Sequence, residues 1–178
     1  MQRRQSLTQS LIVVIVGSFI ISQYVYPGLQ DTFVLYGPAV KSGEYWRLFT
    51  VALLHANWMH LIFNMLALWS IGTPVEQIFG KERFAIVFLG SLLTASAASA
   101  YLGKNTLAVG ASGAIFGLFG ALLAIGRKAG ANIQNVSGTI ILNLIITFVV
   151  PGIDWRAHVG GLIGGYLIAQ LLIASRRT

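Results

Sequence analysis

The chain has 178 residues, of which 56% are hydrophobic and only 10% are charged. A soluble domain carries about a quarter charged residues, so a water-soluble fold is excluded. The net charge of +7 comes from basic residues scattered at the ends of apolar runs, which is the pattern of orientation signals in a membrane, and no nucleic-acid partner is expected.

A helix needs about 20 mostly apolar residues to cross a bilayer. By that measure the sequence predicts an all-α membrane protein with six transmembrane helices, over 7–26, 56–79, 83–102, 112–127, 134–150 and 156–175, in a single membrane domain covering 1–178. The first run, Leu11 to Tyr26, follows Arg3 and Arg4 and resembles a signal peptide. No small-x-small cleavage site comes before Pro27, so it is read as a retained helix. The one long connection, 27–55, leads into the second span. Tyr36, Tyr45, Trp46 and Trp58 put part of it at headgroup depth, where aromatic rings anchor membrane proteins.

The second span carries His55 at its entry, then His60, Asn64 and, near its other end, Glu76. The fourth begins in GASGAIFG, with Ser112 among small residues. The fifth contains Asn143, suited to an interhelical hydrogen bond, and the sixth opens in AHVGGLIGG with His158. No cysteine is present, which excludes disulfides, thiolate metal sites and a cysteine nucleophile.

Lysine and arginine counts set the orientation. Arg3, Arg4, Lys81, Arg83, Arg127, Lys128, Arg176 and Arg177 fall on one side, against Lys41, Arg47, Lys104 and Arg156 on the other. Both termini are therefore expected in the cytoplasm. The fourth span reaches Arg127 after 16 residues. That is about 24 Å, against a hydrocarbon core of about 30 Å. Ser112 should then lie below the outer surface, in the floor of a wet pocket, since irregular backbone at that depth needs protein or water around it.

Polar groups inside spans are costly and mark function by default. All three histidines and Ser112 share the outer ends of their spans. Gly113, Gly117 and Ala121 form one small-residue face, and Gly161, Gly165 and Ala169 another. Two such faces let helices approach closely, which would bring Ser112 within reach of His158. A histidine that takes the serine proton makes the hydroxyl a usable nucleophile. Asp154 is four residues before His158 and not suitably placed to orient it, so the residues favour a Ser–His dyad over a triad. His60 and Asn64, four apart on one helix face, could stabilise an oxyanion together with the Ser112 backbone N–H. His55 would shape this site or the adjoining loop. Each feature alone has a plainer reading. Glycine stripes serve packing, span-end histidines and Trp46–Arg47 serve as anchors, and Glu76 can simply bond loop backbone.

Taken together and in order, HANWMHLIFN, GASG and AHVGG, on spans two, four and six, resemble the rhomboid intramembrane serine proteases. Trp46-Arg47 also resembles that family's Trp-Arg loop motif. The resemblance covers essentially the whole chain, as the minimal six-span prokaryotic-type form. It implies a Ser112 nucleophile, His158 as general base and acid, and His60, Asn64 and the Ser112 backbone at the oxyanion. It further implies Gly110 in the loop leading to the serine, and Glu76 tying loop to helix at the cytoplasmic end. Phe116 stands where many members carry a tyrosine under the catalytic histidine, so that hydroxyl's hydrogen bond is lost. The implied reaction is hydrolysis of single-span membrane proteins in or near their span. It would run in a bacterial inner membrane with the site open to the outer side, the fifth span acting as a lateral gate and no cofactor taking part. Three other readings stand beside it: a non-proteolytic binding or quality-control member of the same superfamily, a small transporter, and a zinc site on the three histidines. No carboxylate stands near those histidines as a general base, and zinc would leave Ser112 unexplained.

Overall fold

The computed structural model describes residues 6–103, 105–126 and 152–175, with positions 138, 141, 145, 147 and 148. Most of the fifth predicted span, Asn143 within it, and the terminal and inter-span basic residues at 3, 4, 104, 127, 128, 176 and 177 lie outside the described residues.

Helix α1 (Leu7–Ile20) continues through a widened turn at Ile21–Val25. The Ser6 side chain at its N-cap position makes no cap within the helix. The acceptor comes instead from α6 (Thr73–Phe79), 68 to 70 residues away. The Glu76 carboxylate accepts from Ser6 Oγ at 2.6 Å, Leu7 N at 2.7 Å, Thr8 N at 2.8 Å and Thr8 Oγ1 at 2.7 Å. Amides in a first helical turn lack intrahelical partners, and an anion there also suits the helix dipole. Glu76 thus links α6 to Ser6, just before α1, and to the first turn of that helix.

The long connection is built from short pieces: α2 (Leu29–Phe33), β1 (Leu35–Tyr36), α3 (Gly37–Lys41) and α4 (Arg47–Thr50), the last running on as a 3-10 turn at Val51–Leu53. Arg47 holds them together. Its Nε donates to Glu44 Oε2 at 2.8 Å, and one terminal nitrogen donates to the carbonyls of Asp31 and Val34, both at 2.8 Å. Trp46 Nε1 donates to the Thr32 carbonyl at 3.1 Å while its ring stays exposed.

The chain then turns by 99° into α5 (Trp58–Ala67), whose N-cap Asn57 accepts the His60 N–H at 2.9 Å. A widened turn at Leu68–Gly72 leads into α6. Gly80, at φ +78°, then allows the reversal into α7 (Lys81–Leu102). Next come β2 (Leu107–Ala108), α8 (Ser112–Ile125) and α9 (Trp155–Ala174), the last capped by Asp154 Oδ1, which accepts the Arg156 N–H at 3.1 Å.

Leu7–Val25, Lys81–Leu102 and Trp155–Ala174 are long and apolar enough to cross a membrane, as is the bent pair Arg47–Leu53 and Trp58–Phe79 counted as one span. Large apolar side chains such as Val13, Phe63 and Leu171 remain exposed, as lipid-facing residues do. Helix α8 is different, since every residue from Gly113 to Leu122 is buried. A helix that is apolar all round belongs in a core, and α8 is the post around which α7, α9 and α5–α6 pack. Its 14 residues span only about 21 Å.

Within this all-helical frame one short ribbon occurs. β1 pairs antiparallel with β2, Leu35 opposite Ala108 and Tyr36 opposite Leu107. With the Gly110 N–H donating to the Val51 carbonyl at 2.9 Å, this ribbon ties the first connection to the segment that delivers Ser112.

Candidate active site

Ser112 is the first residue of α8 and is half-buried. His158 lies in the first turn of α9 and is buried. The contact between these two helices is set by absent side chains. A Cβ at Gly161 would land on the Gly113 carbonyl, and one at Gly165 on the Gly117 backbone. Backbones this close bring the two helix starts together, and His158 Nε2 stands 2.8 Å from Ser112 Oγ. The packing also involves α7, which the two-helix reading of the stripes did not include. A Cβ at Gly117 would collide with Ser91, and one at Gly160 would stand 2.6 Å from the Ala98 side chain and 3.0 Å from the Thr94 carbonyl.

The His158 ring is held on two further sides. Phe116, one turn along α8, stacks on it with centroids 4.2 Å apart and 14° between planes. Thr147 Oγ1, from a helical position between α8 and α9, is 2.6 Å from Nδ1. Asp154 does not fill that place: Thr147 holds Nδ1, while Asp154 Oδ1 accepts from the Arg156 N–H. Thr147 was not singled out in the sequence. One threonine in the apolar run ILNLIITFVV carries no periodic signal, and span threonines commonly bond their own backbone.

A second cluster gathers around the loop that leads to Ser112. The loop residue Gly110 has φ +118°, and a Cβ there would stand 2.7 Å from His60 Cε1 and 2.9 Å from His60 Nε2. Only glycine combines that backbone conformation with that approach, so the loop leading to Ser112 passes close against the His60 ring. Asn64 is buried and its Nδ2 donates to the His60 carbonyl at 2.9 Å, one turn back on α5. Its Oδ1 is buried without a partner among the described residues. His55 is 2% exposed in the corner before α5, its ring edge-on to His60 at 5.0 Å and to Phe19 at 6.5 Å. Trp46 and Arg47 belong to the first connection and organise it as described.

The structure therefore gathers Ser112, His158 and Phe116 in one group, and His60, Gly110, His55 and Asn64 in a neighbouring one. A hydroxyl facing an imidazole nitrogen at the start of a helix is an arrangement suited to acyl transfer. The helix N-terminus contributes unpaired N–H groups and a partial positive charge where an oxyanion would form. No cluster of three or more metal-ligating side chains occurs among the described residues.

The Rhomboid domain profile matches residues 42–175. Rhomboid protease GluP of Bacillus subtilis (strain 168) is 44% identical over 154 residues, covering 80% of this chain and 30% of that protein. RHOMBOID-like protein 7 of Arabidopsis thaliana is 35% identical over 144 residues, covering 78% of this chain and 46% of its own. Rhomboid-like protease 1 of Toxoplasma gondii is 33% identical over 150 residues, covering 76% and 50%. The chain thus spans half or less of the length of these relatives, but the domain match takes in most of the chain itself. By the domain match and the shared sequence, this integral membrane protein belongs to the rhomboid family.

Proposed function

We propose that this chain is a serine endopeptidase that hydrolyses peptide bonds of membrane proteins within the bilayer, with Ser112 as nucleophile and His158 as general base and acid. The observation that carries the reading is the 2.8 Å contact between Ser112 Oγ and His158 Nε2 on two helices locked together by glycine.

In the first half-reaction Ser112 Oγ attacks the substrate carbonyl carbon while its proton passes to Nε2. The carbonyl oxygen becomes an oxyanion, stabilised by the Ser112 N–H, His60 and the Asn64 amide. The imidazolium then returns its proton to the departing amine as the C–N bond breaks, leaving an acyl ester on Ser112. Water, deprotonated by the same Nε2, cleaves that ester and regenerates the serine. Phe116 supports the stacked ring face throughout these transfers.

The substrates we propose are single-span membrane proteins, cut in or near the span. The shortness of the 14-residue α8 supports this: at about 21 Å it is shorter than a hydrocarbon core of about 30 Å, which would set the serine at its start below the headgroups, where it meets a chain that is itself in the membrane. The fuller topology belongs to the same proposal: six spans, both termini cytoplasmic, the site open to the outer side of a bacterial inner membrane, and the fifth span as the lateral gate. Single cysteines introduced into this cysteine-free chain and labelled from either side test it.

Reconstituted in liposomes with a model single-span substrate, the protein is expected to release two fragments, and Ser112→Ala to release none. Cleavage that survives Ser112→Ala, or that a chelator stops, would contradict the mechanism.

A further inference from the structure

Accepting the Ser112 proton requires a bare lone pair on His158 Nε2, so the neutral ring must carry its hydrogen on Nδ1. In serine hydrolases with a full triad, a carboxylate secures that tautomer. Here the group at Nδ1 is the buried hydroxyl of Thr147, at 2.6 Å. A hydroxyl can donate or accept, and the two cases have opposite consequences. If Thr147 donated to Nδ1, Nε2 would carry the hydrogen and could not act as a base. A threonine in a helix commonly gives its own hydrogen to a carbonyl three or four residues back, which leaves only lone pairs for another partner. Thr147 is in a helical position, between α8 and α9.

We propose that Thr147 is a positioning residue for catalysis: its Oγ1 accepts the Nδ1–H of His158, fixing the tautomer and ring orientation in which Nε2 faces Ser112. The inference rests on the serine–histidine reading above and deepens it. Three contacts then define the ring, with Thr147 at Nδ1, Ser112 at Nε2 and Phe116 flat on one face. No proton moves to Thr147. During attack the Ser112 proton goes to Nε2, Nδ1 keeps its own, and the Nδ1–H···Oγ1 bond strengthens as the ring becomes cationic. A neutral oxygen does this less strongly than a carboxylate, so Thr147 sets orientation more than basicity.

The test compares Thr147→Val, which keeps the shape and removes the hydroxyl, with Thr147→Ser, which keeps the hydroxyl. Both are assayed as full chains on the model single-span substrate. Thr147→Val is expected to lower kcat about tenfold with KM unchanged, the scale of one neutral hydrogen bond, and Thr147→Ser to restore most of it. Equal losses in the two variants, or wild-type kcat in Thr147→Val, would overturn the proposal. A measurement on the unsubstituted protein covers the case where Thr147→Val does not fold. In nitrogen-15 NMR of histidine-labelled protein, with His158 assigned through His158→Asn, the neutral ring is expected to be protonated at Nδ1. Protonation at Nε2 would overturn it too. The parent reading fails separately, by cleavage that persists in Ser112→Ala.

Discussion

Replacing Gly161 with alanine probes how the packing holds the reacting pair. A Cβ at that position would fall on the carbonyl oxygen of Gly113 and stand 2.8 Å from its carbonyl carbon. Carbon atoms pack at about 3.5–4.0 Å, so α9 must retreat from α8 by about 0.7 Å or more. The atoms in the way are backbone, and no rotamer change can absorb the overlap. Ser112 immediately precedes Gly113, and His158 lies one turn before Gly161, so the retreat passes to the pair. Added to the 2.8 Å between Ser112 Oγ and Nε2, it takes them to about 3.5 Å, beyond a working hydrogen bond. A misplacement approaching 1 Å costs about 100-fold in rate, within the range that a positioned base contributes. Gly161→Ala is therefore expected to lower kcat on a single-span substrate about 100-fold, and to destabilise the fold by about 1–3 kcal/mol through overpacking. Gly17→Ala in α1 is the control, since nothing lies within 4 Å of a Cβ there. Turnover at the wild-type rate in Gly161→Ala, with the control equally active, would refute the claim that backbone contact sets the dyad distance.

Other consequences concern the scaffold. Arg47→Lys retains the charge, but one ammonium cannot serve Glu44 and the carbonyls of Asp31 and Val34 together. A loss of about 1–3 kcal/mol is expected, visible as a lower Tm in detergent, with unchanged Tm as the contrary result. Glu76→Gln presents an amide nitrogen to donors at the start of α1, so faster hydrogen exchange at Leu7 and Thr8 is expected. Wild-type protection of those two amides would count against the capping role.

Much of this protein is legible in its sequence because lipid simplifies the code. Apolar length alone marks Leu7–Val25 and Lys81–Leu102, and the spaced glycines at 113, 117, 161 and 165 announce which helices approach. The proximity of Ser112 to His158 follows from those glycines. Contacts that depend on one polar atom in three dimensions were not legible. Glu76 reads as a link at the end of its span, but nothing in the sequence names Ser6 and the start of α1, 68 to 70 residues away, as its partners. The β1–β2 pair has two residues in each strand, too few for any alternation to register. Thr147 is a single hydroxyl in an apolar run, and only the fold brings it to His158. Helix α7 carried a faint signal in Ser91, Thr94, Ala95 and Ala98, small residues that read as ordinary span until α8 and α9 are set against them.

The central claim is that Ser112 is a nucleophile activated by His158. Treating the detergent-solubilised protein with a fluorophosphonate and locating the adduct by mass spectrometry tests it most directly. A single phosphonyl group is expected on Ser112, absent from Ser112→Ala and strongly reduced in His158→Ala. Labelling at another serine, or undiminished labelling of Ser112→Ala, would contradict it.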